Sequence, residues 1–499
     1  MKRLITLLSA ASVSLAAAGE EADNADLLRF VNGDSLHGTF VEVRQNKVLW
    51  KRDGLDPAEF AIDKLRHIAL NRGQGHGAMV PDYQVELVNG DLLPGKVIQL
   101  TDDALDLETS FAGKISIPRG LIKSFGRIPS NGELVFYGPF KQQKWSILSS
   151  LVGSEEEPEK AWNYDGAAFY VSGVSFATPE ELRLPDDFEL SFRLSARDIS
   201  VLSVAFFSDK PEFGDEELRT QISESRSSYY GDSRNGDLYG SSLVLDFSGT
   251  KAQLVEVIPA EPVEAEPGEE GEDKKADEGE DEKKPVMKPA RNRRLGDSAS
   301  FSTSSRSYDI KATIRASRSL GLIQLLVDGQ HCGSWEIDPA EMPQGQLLKF
   351  GQRRGRLRLS EISVSEWNRM PDSARSMQAE SKDIVVMSSG TDRFSGKIKS
   401  ITDGKIVIAS SFGDLTLDQP KVSKLVLASD GQDKPEDAGE EFPVTLKMPF
   451  GSQVSGSIKI GEKGAVFVSR FGSEWPLTTD QVQFIEFDEY DPKLDGWYE

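Results

Sequence analysis

The sequence predicts an all-β protein: a central two-sheet sandwich flanked on each side by a pair of small five-stranded barrels. Three observations predict it. Apolar residues alternate with a period of two over much of the chain, as in Phe188-Glu-Leu-Ser-Phe-Arg-Leu194 and Tyr308-Asp-Ile-Lys-Ala-Thr-Ile314, the pattern of half-buried strands. A glycine-marked pattern occurs four times, twice near each end. The chain has 499 residues, and at ~150 residues per domain that is about three domains.

The first element is a targeting segment rather than a strand. Lys2 and Arg3 precede a short apolar run, Leu4 to Leu15, and Ala16 and Ala18 supply a small-x-small pattern. This predicts a signal peptide over residues 1–18. The run is shorter than the ~20 residues a bilayer span needs. With one cysteine, Cys332, no internal disulfide is available, so the expectation is a periplasmic or secreted protein held together by packing.

The four repeats follow at 26–72, 81–128, 381–428 and 441–488. Their markers are Val31-Asn32-Gly33-Asp34 then Gly38, Val88-Asn89-Gly90-Asp91 then Gly95, Ser389-Gly390 then Gly396, and Phe450-Gly451 then Gly456. Before the first glycine the expected inward residues are Leu28/Phe30, Val85/Leu87, Ile384/Val386 and Val444/Leu446. After the second glycine come apolar pairs two apart: Val48/Trp50, Leu105/Leu107, Ile406/Ile408 and Val466/Val468. Further on, each repeat has apolar residues three apart: Leu65/Ile68, Ile122/Phe125, Val422/Leu425 and Val482/Ile485. Asn-Gly-Asp predicts a tight hairpin with positive φ at both central residues. A second turn recurs as Phe111-Ala112-Gly113, Phe412-Gly413 and Phe471-Gly472. A unit of five short strands closes its sheet to protect its edges.

This pattern resembles the Sm-like small barrel, most clearly in residues 83–125. Sm-like proteins usually bind RNA. Here the Arg-Gly pair of their RNA loop is matched only by Arg119-Gly120, and their Asn position falls on Asp106. The chain has 58 Lys+Arg against 81 Asp+Glu, a net charge of −23, which repels phosphate backbones. No nucleic-acid partner is expected.

The sandwich is expected over 131–368. Its strand order, with Trp162-Asn-Tyr-Asp-Gly166, the segment from Leu184 and Leu326-Val-Asp-Gly329, resembles a concanavalin A-like, laminin-G-like jelly roll. It is similar to the sandwich of bacterial keto-glycoside hydrolases. Asp328-Gly329 is a hairpin turn. Residues 259–289 carry 12 acidic residues and five lysines and are expected to be a disordered insertion. The strands on either side are expected to end near Val257 and begin near Phe301. Arg291, Arg293 and Arg294 are read as local charge partners for the insertion. The polar stretch 209–240 is expected to form a loop whose Tyr229, Tyr230 and Tyr239 are ligand-stacking candidates.

The one motif with catalytic spacing is Glu336-Ile337-Asp338-Pro339-Ala340-Glu341. It matches the E-x-D-x-x-E signature of family-16 glycoside hydrolases, where the outer carboxylates serve as nucleophile and acid/base. Pro339 removes a ladder hydrogen bond inside it, so it reads as a strand end and turn. No Ser-hydrolase elbow, zincin motif, P-loop or EF-hand is present, and the four histidines are scattered. The expectation is a non-catalytic binding or scaffolding protein without cofactor or metal. Its ligand is a carbohydrate or another protein. The rivals are a glycoside-active enzyme using Glu336, Asp338 and Glu341, and a homo-oligomeric assembly module.

Overall fold

The computed structural model describes most of residues 25–487. Segments 1–24, 71–81, 128–133, 150–160, 197–199, 214–234, 263–286, 304–307, 370–380, 429–442 and 488–499, with a few shorter stretches, lie outside that description. The expected signal segment, Tyr229, Tyr230 and most of the acidic insertion therefore lie outside it. The described residues are all-β, with antiparallel sheets and one five-residue α-helical turn, Asn235–Tyr239.

The first module comprises β1 (Asp26–Phe30), β2 (Ser35–Arg44), β3 (Lys47–Lys51), β4 (Ala58–Ala61) and β5 (Leu65–Ala69). The second comprises β6 (Tyr83–Leu87), β7 (Leu92–Leu100), β8 (Ala104–Thr109), β9 (Gly113–Pro118) and β10 (Ile122–Arg127). Consecutive strands pair, and after a 3-10 turn the fifth strand returns beside the first.

The sandwich begins with β11 (Leu134–Gly138). One of its sheets runs β13 (Trp162–Asp165), β14 (Ala168–Ser172), β27 (Arg356–Glu366), β16 (Asp187–Ala196), β23 (Tyr308–Ser317), β24 (Leu322–Val327), β25 (Gln330–Glu336), with β11 also beside β27. The other runs β12 (Trp145–Ser149), β15 (Ser175–Pro179), β26 (Leu347–Arg354), β17 (Val201–Ser208), β18 (Ser242–Ser248), β19 (Lys251–Ile258), β22 (Arg291–Ser300). Their inner faces share one core, in which Phe192 of β16 meets Phe247 and Phe350 of the facing sheet with ring centroids 5.8 and 6.0 Å apart. The hairpin Asp328-Gly329 has positive φ at both residues, 50° and 77°, as type I′ geometry requires.

Two expectations for the insertion change. Its ends are paired, β20 (Glu261–Pro262) against β21 (Met287–Lys288), and the strand after it begins at Arg291 rather than near Phe301, because β22 completes the ladder of β19. Arg293 is committed within the sandwich, to Glu256 at 2.5 Å and Glu341 at 3.1 Å.

The third module is β28 (Asp383–Met387), β29 (Arg393–Thr402), β30 (Lys405–Ser410), β31 (Gly413–Asp418) and β32 (Val422–Val426). The fourth is β33 (Pro443–Met448), β34 (Ser452–Gly461), β35 (Gly464–Ser469), β36 (Glu474–Pro476) and β37 (Phe484–Glu486). In the fifth strands of the first three modules, apolar residues three apart are buried on both counts, although strict alternation turns one of each pair outward. A bulge reconciles them. Arg66, Lys123 and Ser423 are extra residues in the ladder with the first strand, which restores the phase.

Three details differ from the sequence reading. In the third module Val385 and Met387, not Ile384 and Val386, face the shared core. Asp383 stands opposite Gly396 as Asp26 stands opposite Gly38. Each carboxylate accepts a backbone N–H, from Ile398 at 2.7 Å and Phe40 at 2.9 Å, and that buried bond sets the register. In the fourth module the bulge found between second and third strands elsewhere is missing. The one-residue slip turns Phe467 inward in place of Val466 and Val468. The Asn89-Gly90 turn has positive φ only at Gly90, 89°. Asn89 Oδ1 accepts from Asp91 N at 3.1 Å, and Leu87 N donates to Asp91 O at 2.9 Å, giving a three-residue loop with a glycine bulge.

The modules pair across the chain rather than with their sequence neighbours. β5 pairs with β37, joining the first module to the fourth, and β10 pairs with β32, joining the second to the third. One hydrophobic core runs through all four. At the join between second and third, Arg119 donates to Asp383 at 3.1 Å and to the carbonyls of Ile398 and Thr101 at 2.8 and 3.0 Å. The arginine of the Arg-Gly pair thus holds two modules together. Between second and fourth, Trp475 meets Phe111, Phe467 and Phe471 at 5.7, 4.9 and 6.3 Å.

Candidate functional site

The outward face of the β16–β23–β27 region is polar because those strands alternate: Phe188, Leu190, Phe192 and Leu194 point into the core, leaving Glu189, Ser191, Arg193 and Ser195 outside. The modules cover this face. Tyr137 of β11 stacks on Phe450 at the β33–β34 turn, centroids 4.4 Å apart, and the Arg358 guanidinium lies 5.4 Å from the Phe484 ring. Between these contacts a cleft remains open, made of three adjoining cavities of about 570, 280 and 230 Å³ that share walls. Ligand sites favour such domain junctions.

A backbone irregularity sits on its floor. β16 and β27 pair Ser191 with Ser363 but Arg193 with Ser360, so Glu361 and Ile362 together face Phe192. Glu361 has φ 52°, a left-handed conformation that costs a non-glycine residue about 1–3 kcal/mol and tends to persist where function uses it. Its carboxylate lies 3.8 Å from Arg193 and lines two of the three cavities. Arg193 binds Asp309 through two nitrogens, and Ser195 Oγ donates to the same carboxylate at 2.7 Å. Burial alone would raise the Asp309 carboxyl, but the Arg193 guanidinium outweighs it and holds it below the usual range. Lys447 pairs with Glu486 at 3.0 Å on the opposite wall. The cleft thus offers fixed acceptors and donors side by side, the set that hydroxyl-rich ligands need.

The residues singled out from sequence lie elsewhere. Glu336 ends the edge strand β25 and is exposed. The Asp338 side chain accepts from Ala340 N at 2.9 Å, and Glu341 pairs with Arg293. None of the three lines the cleft. Tyr239 is not a loop tyrosine: it closes the helical turn and is fully buried against Phe176, 6.0 Å away, because that turn and Phe213 cover an apolar strip on the outer face of the second sheet. No sugar ring reaches it. The cleft itself was missed, yet a signal existed. In β27 the inward residues are Leu357, Leu359, Ile362 and Val364, a break in alternation that marks the bulge at Glu361.

Under the same turn lies Lys349, fully buried. Its Nζ donates to the Leu238 carbonyl at 2.8 Å and sits 4.5 Å from the Phe213 ring. Burial pushes its pKa down from 10.5 to about 7, with nearby Lys210 acting in the same direction. Between those values the unfolded chain binds more protons than the fold, so stability rises with pH across that window. Urea midpoints measured from about pH 7 to about pH 10 are expected to show this slope, on the order of a few kcal/mol in total, and Lys349→Met to remove it. A slope unchanged in Lys349→Met would sink this account.

Among the described residues, no three His, Cys, Asp or Glu side chains gather as a metal site requires, and no helix is long and apolar enough to cross a membrane. No family model matches the chain, and no curated protein does. Solved structures similar to it include a protein of unknown function with a galectin-like fold from Bacillus subtilis, at 9% identity over 47% of this chain and 97% of that one, TM-score 0.28. The Emp47p carbohydrate recognition domain shows 12% identity over 48% and 98%, TM-score 0.27. The carbohydrate-binding module CBM66 from Bacillus subtilis shows 7% over 47% and 96%, TM-score 0.23.

Proposed function

We propose that this chain is an exported, non-catalytic binding protein. Its flanking modules are Sm-like barrels acting as a scaffold, and its ligand is a carbohydrate held in the cleft between scaffold and sandwich. The export half rests on Lys2, Arg3 and the Leu4–Leu15 run. The observation that carries the site is Glu361: a charged residue in left-handed backbone, on a bulge, aimed into a cleft beside a guanidinium. Bulges re-aim side chains at functional sites, and a glycine there would be more comfortable.

The test is a glycan array on the full chain, followed by Glu361→Gly on whichever sugar binds. That variant is expected to fold as well as the parent or better, by up to about 1 kcal/mol, while sugar affinity drops at least about tenfold. Unchanged affinity would place the ligand outside the cleft, and an array with no binder removes the carbohydrate reading.

A further inference from the structure

The cleft differs in charge from the rest of the molecule. The chain carries −23 overall, yet the described residues lining the three cavities include seven lysines and arginines against five aspartates and glutamates. The five acids are all engaged. Glu86 takes Lys123 at 2.6 Å and Ser124 at 2.7 Å, Glu189 takes Arg315 at 2.7 Å, and Glu486 takes Lys447. Asp309 and Glu361 share Arg193. Two of those partners, Lys123 and Arg315, do not line the cavities and are not among the seven, so the lining cations outnumber the carboxylates left to neutralise them.

Two of those cations are uncommitted to any carboxylate among the described residues. Lys311, on β23, is exposed, and its side chain makes no ion pair. Arg127, at the end of β10, is exposed and donates only to the Pro420 carbonyl, at 3.3 Å. They come from different domains and line the same 280 Å³ cavity, with Glu361 on its floor. A low-dielectric cleft with such walls concentrates its field inside. The geometry points to a negatively charged saccharide as the ligand, its carboxylate or sulfate read by Lys311 and Arg127 while Glu361 takes a hydroxyl. This rests on the carbohydrate reading above and names the class of sugar.

The experiment is calorimetric titration of the full chain with three probes: a galacturonate oligomer, a heparin-derived oligomer and a neutral xylo-oligomer of equal length. Either anionic probe is expected to bind at least about tenfold tighter than the neutral one. The two anionic arms show whether carboxylate or sulfate is preferred. Lys311→Ala with Arg127→Ala is expected to erase that preference, a loss of about tenfold or more, without lowering the melting temperature, since both side chains are exposed. The gap between parent and double variant should narrow as salt rises. Equal or tighter binding of the neutral oligomer overturns the charge selection and leaves the carbohydrate reading standing. An anionic preference that survives the double variant also overturns it, because the charge is then read elsewhere. Failure of all three probes and of the wider array removes both.

Discussion

Arg193→Ala is expected to destabilise the sandwich by about 3–5 kcal/mol, because it strands the mostly buried Asp309 carboxylate without its guanidinium. The pH dependence identifies the cause. In the parent, Asp309 has a depressed folded pKa, so its stabilisation is fully present above the unfolded value near ~3.9 and fades as pH falls through the folded one. In the variant the desolvated carboxyl prefers to be protonated, so the deficit is largest near neutrality and shrinks in mild acid. Chemical denaturation across that range measures it. An equal deficit at every pH would mean that Arg193 contributes packing only. Replacing Arg193 and Asp309 together by apolar residues of similar size is expected to cost far less than Arg193→Ala alone.

Trp475→Ala is the second large effect, about 3–5 kcal/mol. The indole is almost fully buried and meets one ring from the second module and two from the fourth. Its loss leaves a cavity at the join between modules that no ion pair fills. Hydrogen exchange should accelerate in β7–β8 and β34–β36 while β16, β17 and β26 stay protected. A loss below about 1 kcal/mol would show that the join is held by polar contacts such as Ser455 N to Asp91 at 3.0 Å.

The period-two alternation made the all-β class and the sandwich strands legible, since a strand buried on one face must alternate. The residues three apart, Leu65/Ile68 and its counterparts, were equally visible, but their cause was not: only the ladder shows the extra residue between them. Where apolar spacing leaves the phase open, the reading failed. In β28 every residue after Asp383 is apolar, so alternation does not say which face is inward and only the ladder shows Val385 and Met387 there, and a missing bulge flips the fourth module's third strand. The cleft was invisible for a different reason. Arg193, Lys311, Arg127 and Glu361 come from separate strands and two domains, and nothing in their local sequence says that they meet. Conversely, the E-x-D-x-x-E spacing was conspicuous, and Pro339 inside it already read as a strand end and turn, where the motif lies, on an edge strand and a 3-10 turn.

The cross-chain pairing of modules also has a temporal side. Ile68 of β5 finds its neighbour in Ile485, 417 positions later, and Phe125 of β10 in Leu425, 300 later. A chain emerging from a ribosome therefore holds two bare strand edges until β32 and β37 follow. Contacts so distant in sequence make closure slow, and unpaired edges invite strangers in the meantime. Completion waits for β32 and β37, so a protein cut short before β32 lacks both strand pairings that join its halves and keeps only the contacts of β28 and β29 with the second module, such as Asp383 with Arg119.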